Sequence, residues 1–521
     1  MTDHRTTDTP TPAVPLDGMD GLSPASAART PAERFELKGR TLREHTARGT
    51  LINTGFQIGL SLLGLIRGLI LAIFLTRSDY GVWGILAASL GTLLWLRQVG
   101  IGDKYIQQDE ADQELAFQKA FTLQAMVTAI SMVFLLAALP LVVVIYDQSV
   151  LLLPGMLAIM MLPAGPLNMA VAVYYRRLEY VRQRTLLVVE PVVGFVVSVT
   201  LAAAGLGYWA IFIGLFVGAY SGAAVVVLNS PYKLRFRYDR GTMRSYASFS
   251  WPLFLANFGS VIIAQSAVIA TEDHLGLAGA GAVALAAQVT QFTDRVDGLI
   301  TGTLYPAICA VKDRTELLYE SFVKSNRMAL MWAVPFGVAL SLFSSDLVHF
   351  GIGHKWAPAV PVLQVTGLVA AFGHIAFNWD AYMRAIAMTK PMAVASAAAA
   401  VTFVSAGLPL LYAYGLRGLA YGIALQTVAH VFFRAYYLRR IFHGFSYLRH
   451  AMRAILPTVP AVGGVFLLRF AESGDRSRAM VAVELCAYFA VTAIATWRLE
   501  GPLLREAVGY VRGRTAASAA A

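Results

Sequence analysis

Three arginines lie inside long apolar stretches of this chain, where a charged side chain is unusual. They are Arg67, Arg97 and Arg295. A charge at the centre of a bilayer costs about 2.5–3.5 kcal/mol on insertion scales, so each arginine should face a cavity or a partner. A guanidinium donates several hydrogen bonds in a fixed fork, which suits phosphate or carboxylate. These arginines therefore indicate a site for an anionic group within the membrane, although Arg97 also lies within reach of the interface.

The residues around Arg67 share its side of a predicted helix. At about 100° per residue, Asn53, Gln57, Ser61 and Arg67 fall on one face, and the opposite face is Leu and Ile. Lipid favours the apolar face. We therefore expect the polar face to line a cavity, and the alternative is an ion pair between Arg67 and a carboxylate of a neighbouring span.

Other predicted spans carry polar side chains at the same helical spacing. The candidate cavity-lining residues of the whole chain are Asn53, Gln57, Gln288, Gln291, His374, Asn378, Gln426 and His430. The acidic residues inside spans are Asp294, Asp297 and Glu190. All three acids are candidates either for coupling transport to an ion or for pairing with the arginines, and Glu190 has no obvious partner nearby. For the histidines, a hydrogen-bonded packing role is the alternative to a cavity.

The composition requires lipid as the solvent for most of the chain. Of 521 residues, 57% are hydrophobic and 14% are charged, against about 25% charged in globular domains. We predict about fourteen transmembrane helices and an all-α polytopic membrane protein. Lys and Arg gather at every second gap between the apolar segments. The positive-inside rule then places both termini in the cytoplasm.

The excess of Lys and Arg over Asp and Glu does not indicate nucleic-acid binding. The net charge of +11 is explained by topological anchors beside anionic membrane lipids. The gap after the thirteenth span departs from the pattern of basic residues at every second gap, because Arg469, Arg476 and Arg478 fall on the outer side. Near the tenth span, Lys355 and Trp356 read as an interfacial anchor.

No catalytic or metal-binding pattern is present in the sequence. Walker, HExxH, CxxC and GxSxG patterns are missing, and Cys309 and Cys486 lie far apart. No gap between spans is long enough for a catalytic domain. We therefore expect no enzyme activity, no cofactor and no metal. A membrane glycosyltransferase or polymerase is the alternative of another class.

The chain also reads as a tandem repeat of six spans. Tyr175-x-Arg177 recurs as Tyr382-x-Arg384, and Gly205-Leu206 recurs as Gly415-Leu416. Parallel repeats form paired lobes with a site between them. The predicted divisions are a disordered basic tail 1–48, an N-lobe 49–229 with spans 1–6, a cytoplasmic linker 230–244, a C-lobe 245–440 with spans 7–12, two extra C-terminal helices in 441–498, and a cytoplasmic tail 499–521.

Four short motifs carry a resemblance to a known family. They are Leu75-Thr76-Arg77-Ser78-Asp79-Tyr80-Gly81, Gly205-Leu206-Gly207-Tyr208-Trp209-Ala210, Tyr305-Pro306-Ala307-Ile308, and Gly353-His354-Lys355-Trp356 followed by Ala357-Pro358-Ala359. In order and spacing, over roughly residues 49–440, the chain resembles the polysaccharide-biosynthesis, or Wzx-type, flippases of the multidrug/oligosaccharidyl-lipid/polysaccharide exporter superfamily.

The resemblance implies two six-helix lobes that open alternately inward and outward. It implies an undecaprenyl-diphosphate-linked oligosaccharide as cargo, moved outward for O-antigen or exopolysaccharide synthesis. A cationic cavity would hold the diphosphate, and Arg67, Arg295 and Arg97 are the candidates. The expected partners are the lipid-linked oligosaccharide, membrane lipids, a polysaccharide polymerase and glycosyltransferases. A multidrug cation antiporter and a peptidoglycan-precursor flippase are the alternatives within the superfamily.

Overall fold

The computed structural model describes residues 42–95, 101, 105, 110, 112–177, 179–241, 258–310, 314–386, 388, 390–442, 444–472 and 476–511. All regular secondary structure in these residues is helical, which confirms the predicted all-α class.

The first part of the bundle, residues 42–228, is called the N-half. Its helices are α1 Leu42–Phe74, α2 Arg77–Trp95, α3 Gln113–Ile145, a 3-10 turn Ser149–Leu151, α4 Leu152–Met160, α5 Ala164–Leu167, α6 Ala170–Arg176, α7 Tyr180–Ala203 and α8 Trp209–Leu228. Helix α3 begins at Asp112, whose carboxylate accepts a hydrogen bond from the Leu115 amide at 3.0 Å. The fourth predicted span is not one helix but a series of short ones.

The second part, residues 258–441, is called the C-half, and three further helices follow it. Its helices are α9 Phe258–Ala310, α10 Thr315–Asp346, a π-helical turn Leu347–Ile352, a 3-10 helix His354–Ala359, α11 Val360–Gly373, α12 Trp379–Ala385, α13 Lys390–Thr402, a π-helical turn Phe403–Gly407 and α14 Leu408–Ile441. The helices after it are α15 Tyr447–Ile455, α16 Val459–Ala471 and α17 Arg478–Val511. Helix α9 changes direction at Gly276 and α14 at Gly415.

The described helices fit a membrane protein with several crossings. Nine are long and apolar enough to span a bilayer, and the bent pair α15 and α16 would make ten. One of these stretches, Lys390–Ile441, has 52 residues and is interrupted at Gly415. The count of fourteen crossings therefore stays a prediction.

The glycines of the two turns predicted as a repeat both have positive φ. The values are 84° at Gly205 and 61° at Gly415. Glycine adopts positive φ without a steric penalty. This similarity is consistent with a repeat. The predicted lobe boundaries themselves are not tested by it.

The two halves pack tightly at one end of the bundle, called the closed end and marked by Tyr80, Gly81, Gly281 and Trp356. A Cβ at Gly81 would lie 2.0 Å from the Leu277 carbonyl oxygen, and one at Gly281 would lie 1.8 Å from the Arg77 carbonyl oxygen. Only glycine permits this approach of α2 to α9. A single apolar cluster there contains residues of both halves.

Two side chains of the C-half bond to the main chain of α1 at the closed end. Trp356 Nε1 donates to the Ala72 carbonyl at 2.8 Å, and Lys355 Nζ donates to the Ile73 carbonyl at 2.7 Å. The Trp356 ring is fully buried and meets Tyr80 edge to face at 5.1 Å. The interpretation of Trp356 as an interfacial anchor is therefore wrong, because its indole lies between the halves and not among headgroups.

The opposite end carries the basic turns and is called the basic end, marked by Arg176, Arg177, Lys233 and Arg439. Two apolar clusters lie there. One contains N-half residues such as Tyr105 and Phe117, and the other contains residues 308–445 of the C-half and the segment after it. Within the described residues, neither cluster includes a member of the other half. The described part of the bundle is thus joined at one end and divided at the other.

The α16–α17 hairpin is attached to α10 by an ion cluster formed by Asp346, Arg469, Glu472, Arg476 and Glu484. Arg476 contacts Asp346 at 2.6 Å and Glu484 at 2.6 Å, and Arg469 contacts the same two carboxylates at 3.1 and 3.2 Å. Hydrogen bonds from Arg476 to Asp346 and Glu484 raise the pKa of Arg476 above its ordinary value. These ion pairs account for Arg469 and Arg476, which lie in a gap that the pattern of basic residues predicts to be on the outer side.

Candidate functional site

Arg67 lies on α1 and points toward α7. Its Nη2 donates to Ser198 Oγ at 2.8 Å, and its Nε is buried without a hydrogen-bond partner. Ser198 is fully buried and reaches this position because Gly214 on α8 has no side chain: a Cβ there would lie 2.0 Å from Ser198 Oγ. No carboxylate of the described residues forms an ion pair with Arg67. The guanidinium therefore has no counterion among the described residues.

The other half approaches α1 one residue beyond Arg67. Gln288 of α9 packs on Gly68, where a Cβ would lie 2.5 Å from Gln288 Nε2. The Tyr80 hydroxyl donates to the Gly68 carbonyl at 2.5 Å. The structure thus brings Gln288 beside the segment that holds Arg67. Both residues lie where the halves meet.

Helix α1 is oriented as its polar face predicts. Ile58, Leu62 and Ile66 are exposed, whereas Ser61 is buried and Gln57 is half-buried. At about 100° per residue, Leu62 and Ile66 lie at least ~100° from both Ser61 and Arg67, whereas Ile58 lies ~60° from Ser61. The apolar face is available to lipid. The polar face is turned to the protein.

Several candidate residues have no described side-chain position. Arg97 lies outside the described residues. The side chains outside the described part are those of Asn53, Gln291, Asp294, Arg295 and Asp297. A meeting of Arg67 with Arg295 or Arg97 therefore stays a prediction.

Three predicted cavity residues meet in a second place, inside the C-half. A cavity of about 370 Å³ lies between α9, α11 and α14, and His374, Gln426 and His430 are among its lining residues. Most of the remaining lining is apolar. Arg434, one turn beyond His430, completes its polar side. Arg67 and Gln288 are not part of this lining.

Arg434 stabilises a break between α11 and α12. Its Nη1 donates to the carbonyls of Gly373 at 2.7 Å and Ile375 at 3.0 Å, and its guanidinium lies over the Phe377 ring. A broken helix leaves backbone groups without helical partners, and within a membrane these groups must bond elsewhere. Arg434 supplies such bonds. Its charge is engaged by the main chain.

Asn326 of α10 stabilises the same break and was not found by sequence reasoning. Its Nδ2 donates to the His374 carbonyl at 3.0 Å, and its Oδ1 accepts from the Ala376 amide at 2.9 Å. Ala376 has φ 62°, so the backbone turns sharply there. No sequence signal pointed to this role, because Asn326 lies with Lys324 and Arg327 in a basic stretch that precedes the predicted ninth span.

Asn378 and Glu190 occupy positions away from the cavity. Asn378 is buried, and its Nδ2 donates to Ser325 Oγ at 2.7 Å. Glu190 is exposed on α7, and its Cβ packs against Gly222 of α8, where an added Cβ would lie 2.8 Å away. Neither residue is among the lining residues of the C-half cavity.

The described residues contain no group of three or more His, Cys, Asp or Glu that could hold a metal ion. Within that part of the chain, Cys486 is a free, exposed thiol. The polar groups at this position are thus the Arg67 guanidinium, the Gln288 amide and the Ser198 hydroxyl, whose proton goes to the Gly194 carbonyl. The guanidinium and the amide can donate hydrogen bonds to an anion.

Comparison with known proteins identifies relatives in polysaccharide biosynthesis. A family model described as polysaccharide biosynthesis protein matches residues 70–361, more than half of the chain. The succinoglycan biosynthesis transport protein ExoT of Rhizobium meliloti (strain 1021) is 22% identical over 301 residues, which cover 57% of this chain and 61% of that protein. The lipopolysaccharide biosynthesis protein WzxC of Escherichia coli (strain K12) is 25% identical over 356 residues, which cover 64% of this chain and 69% of that protein.

Solved structures with the same fold are transporters. The lipid II flippase MurJ, in an inward closed conformation, has a TM-score of 0.63 at 12% identity and covers 87% of this chain and 99% of its own. A multidrug resistance transporter of the MATE family, inward-facing, has a TM-score of 0.61 at 11% identity and covers 75% and 98%. At these identities the likeness shows the fold alone.

The resemblance seen in the sequence motifs is thereby confirmed. Its motifs lie in described elements, since Asp79 accepts a bond from the Tyr208 amide at 3.0 Å and Trp356 bonds to α1. The chain belongs to the polysaccharide biosynthesis protein family, whose fold it shares with membrane transporters.

Proposed function

We propose that this protein is a flippase that moves a lipid-linked oligosaccharide outward across the bacterial inner membrane by alternating access. The observation that carries the proposal is Arg67, a cation within a membrane helix whose partner is a hydroxyl. An undecaprenyl-diphosphate-linked repeat unit has an anionic head and an apolar tail. Membership of the polysaccharide biosynthesis protein family supports this class of cargo.

The cargo diphosphate binds Arg67 in this proposal. A charge-assisted hydrogen bond to phosphate is stronger than the bond to Ser198 Oγ, which is 2.8 Å long. The buried Nε of Arg67 supplies a further donor. Gln288 lies next to this position from the other half. Bound cargo would therefore contact residues of both halves.

Alternating access is supported by the unequal ends of the bundle. The closed end joins α1 and α2 to α9 and Trp356, while the described apolar clusters of the basic end remain separate. With the basic end in the cytoplasm, this arrangement is an inward-facing state. Cargo enters from the cytoplasm, and release requires the contacts at the closed end to separate. A polymerase and glycosyltransferases would act on the cargo before and after this step.

The test compares Arg67→Ala with Arg67→Lys in a strain that lacks the chromosomal gene. Loss of a hydrogen bond to a charged group should lower export by roughly 10- to 100-fold for Arg67→Ala. Arg67→Lys keeps the charge and should restore part of the export. Lipid-linked sugar in the membrane and polysaccharide at the surface are measured together.

Arg439→Ala is the matched control, because it removes an exposed cation from the end of α14. It should leave export unchanged. Normal surface polysaccharide in cells carrying Arg67→Ala would overturn the anion site. Failure of the deletion strain to accumulate any lipid-linked sugar would overturn the flippase function itself.

A further inference from the structure

The segment after α8 runs along the N-half, with residues 233–239 outside any helix and residues 240–241 at the start of a helix. This segment, residues 231–241, is called the linker strand. The Arg237 amide donates to Thr122 Oγ1 at 2.6 Å, the Lys233 amide donates to Glu114 Oε1 at 3.3 Å, and the Lys233 carbonyl accepts from Gln118 Nε2 at 3.2 Å. The three partners are spaced four residues apart on one face of α3. The main chain of the linker strand is therefore fixed to that helix.

Aromatic contacts strengthen the attachment of the linker strand. Tyr232 packs on Phe117 with ring centroids 5.8 Å apart, and Phe236 packs on Phe121 at 5.3 Å. Arg177, from the turn after α6, donates to the Tyr232 hydroxyl at 3.1 Å. The linker strand thus packs along the first turns of α3 and is part of the N-half.

Four exposed side chains of the linker strand are cationic, and none of them forms an ion pair with a carboxylate of the described residues: Lys233, Arg235, Arg237 and Arg240. The linker strand also carries one carboxylate, Asp239, while Glu114 accepts the Lys233 amide and Glu110 pairs with Lys119 at 3.0 Å. The linker strand therefore presents an excess of positive charge.

Large apolar side chains alternate with these cations. Phe236 is 72% exposed and Tyr238 is 63% exposed. The strand begins three residues after α8 ends at Leu228 and lies against the start of α3 at Gln113. Ends of membrane helices mark the level of the headgroups. Aromatic residues and cations are the residues enriched at that level.

We propose that the linker strand is a binding surface for anionic phospholipid headgroups on the basic face of the membrane. Lys233, Arg235, Arg237 and Arg240 contact the phosphates, and the exposed rings of Phe236 and Tyr238 enter the boundary with the acyl chains. The charge of the surface selects anionic over zwitterionic lipid. The role does not depend on the cargo of the transporter.

The test is native mass spectrometry of the purified full-length protein with phosphatidylglycerol or phosphatidylcholine. The variant carries Lys233→Gln, Arg235→Gln, Arg237→Gln and Arg240→Gln, and it retains the main-chain bonds to α3. Each cation near an anionic surface contributes about fivefold in binding. We expect the variant to bind phosphatidylglycerol at least ~10-fold more weakly and phosphatidylcholine unchanged.

The matched control removes four exposed cations from the basic end of the C-half and from α15: Lys390→Gln, Arg439→Gln, Arg440→Gln and Arg449→Gln. It should bind phosphatidylglycerol as the wild type does. Equal loss in both variants would show a general effect of net charge and would overturn the proposal. Wild-type affinity in the linker-strand variant would also overturn it. A second variant, Phe236→Ser, should weaken binding to both lipids, because it removes an apolar contact.

Discussion

Two arginines inside the membrane show how one residue type serves different purposes. Arg434 is buried and donates to two main-chain carbonyls of the break between α11 and α12. Arg67 donates to a hydroxyl and has no carboxylate partner in the described part of the chain. Helical spacing placed both on polar faces. Spacing could not separate them, since the difference lies in partners 59 to 131 residues away.

The hydrogen bonds of Asn326 lead to a prediction about thermal stability. Asn326→Ala removes the partners of the His374 carbonyl and the Ala376 amide, and each buried group left without a partner costs about 1–3 kcal/mol. The melting temperature in detergent should fall by roughly 5 °C or more. Asn229→Ala, at the exposed end of α8, is the control and should melt near the wild type. Equal melting of the two variants would contradict the role of Asn326.

At the level of elements, the sequence predicted the turns and the helix faces but not the breaks within helices. The turns at Gly205 and Gly415, the polar face of α1 and the apolar lengths follow from composition and helical period. The breaks in the fourth and tenth spans do not, because an apolar run keeps its hydropathy whether or not the helix continues. The ion cluster was visible only as an anomaly, since Asp346 lies 130 residues before Arg476.

Arg476 connects the α16–α17 hairpin to α10 through its ion pair with Asp346. Arg476→Gln leaves Asp346 and Glu484, which are 8% and 2% exposed as side chains, with Arg469 as the remaining cation. Breaking a buried ion pair destabilises by up to about 3–5 kcal/mol. We expect a lower melting temperature and faster hydrogen exchange in α17. Arg478→Gln, on the exposed start of the same helix, should change neither quantity. A wild-type exchange pattern in Arg476→Gln would mean that other contacts hold the hairpin.

For the whole molecule, the ends of the bundle differ in how they are joined. Main-chain contacts through Gly81 and Gly281 and the bonds of Lys355 and Trp356 connect the halves at the closed end. The matched solved structures are an inward closed and an inward-facing transporter. Those conformations belong to those two proteins. For this chain, movement between two states stays a proposal that distances can test.

Gly281→Leu should force the closed end apart. Its side chain would occupy the space of the Arg77 carbonyl, 1.8 Å from the Cβ position. Spin labels at the exposed positions Ser78 and His354 should move apart by several ångströms, as measured by double electron–electron resonance. Gly59→Leu is the control, since nothing lies within 4 Å of a Cβ there, and its distance should match the wild type. An unchanged distance in a monodisperse Gly281→Leu protein would refute the requirement for glycine.

The glycine contacts at the closed end also bear on the electrical insulation of the membrane. Backbone lies against backbone at Gly81 and Gly281, and the indole of Trp356 is buried at the same end, so these described contacts leave little room for a chain of water molecules. Protons cross a membrane along such water chains, and dry packing resists them. In the proposed inward-facing state, this packing would let the basic end open to the cell interior without discharging the membrane potential.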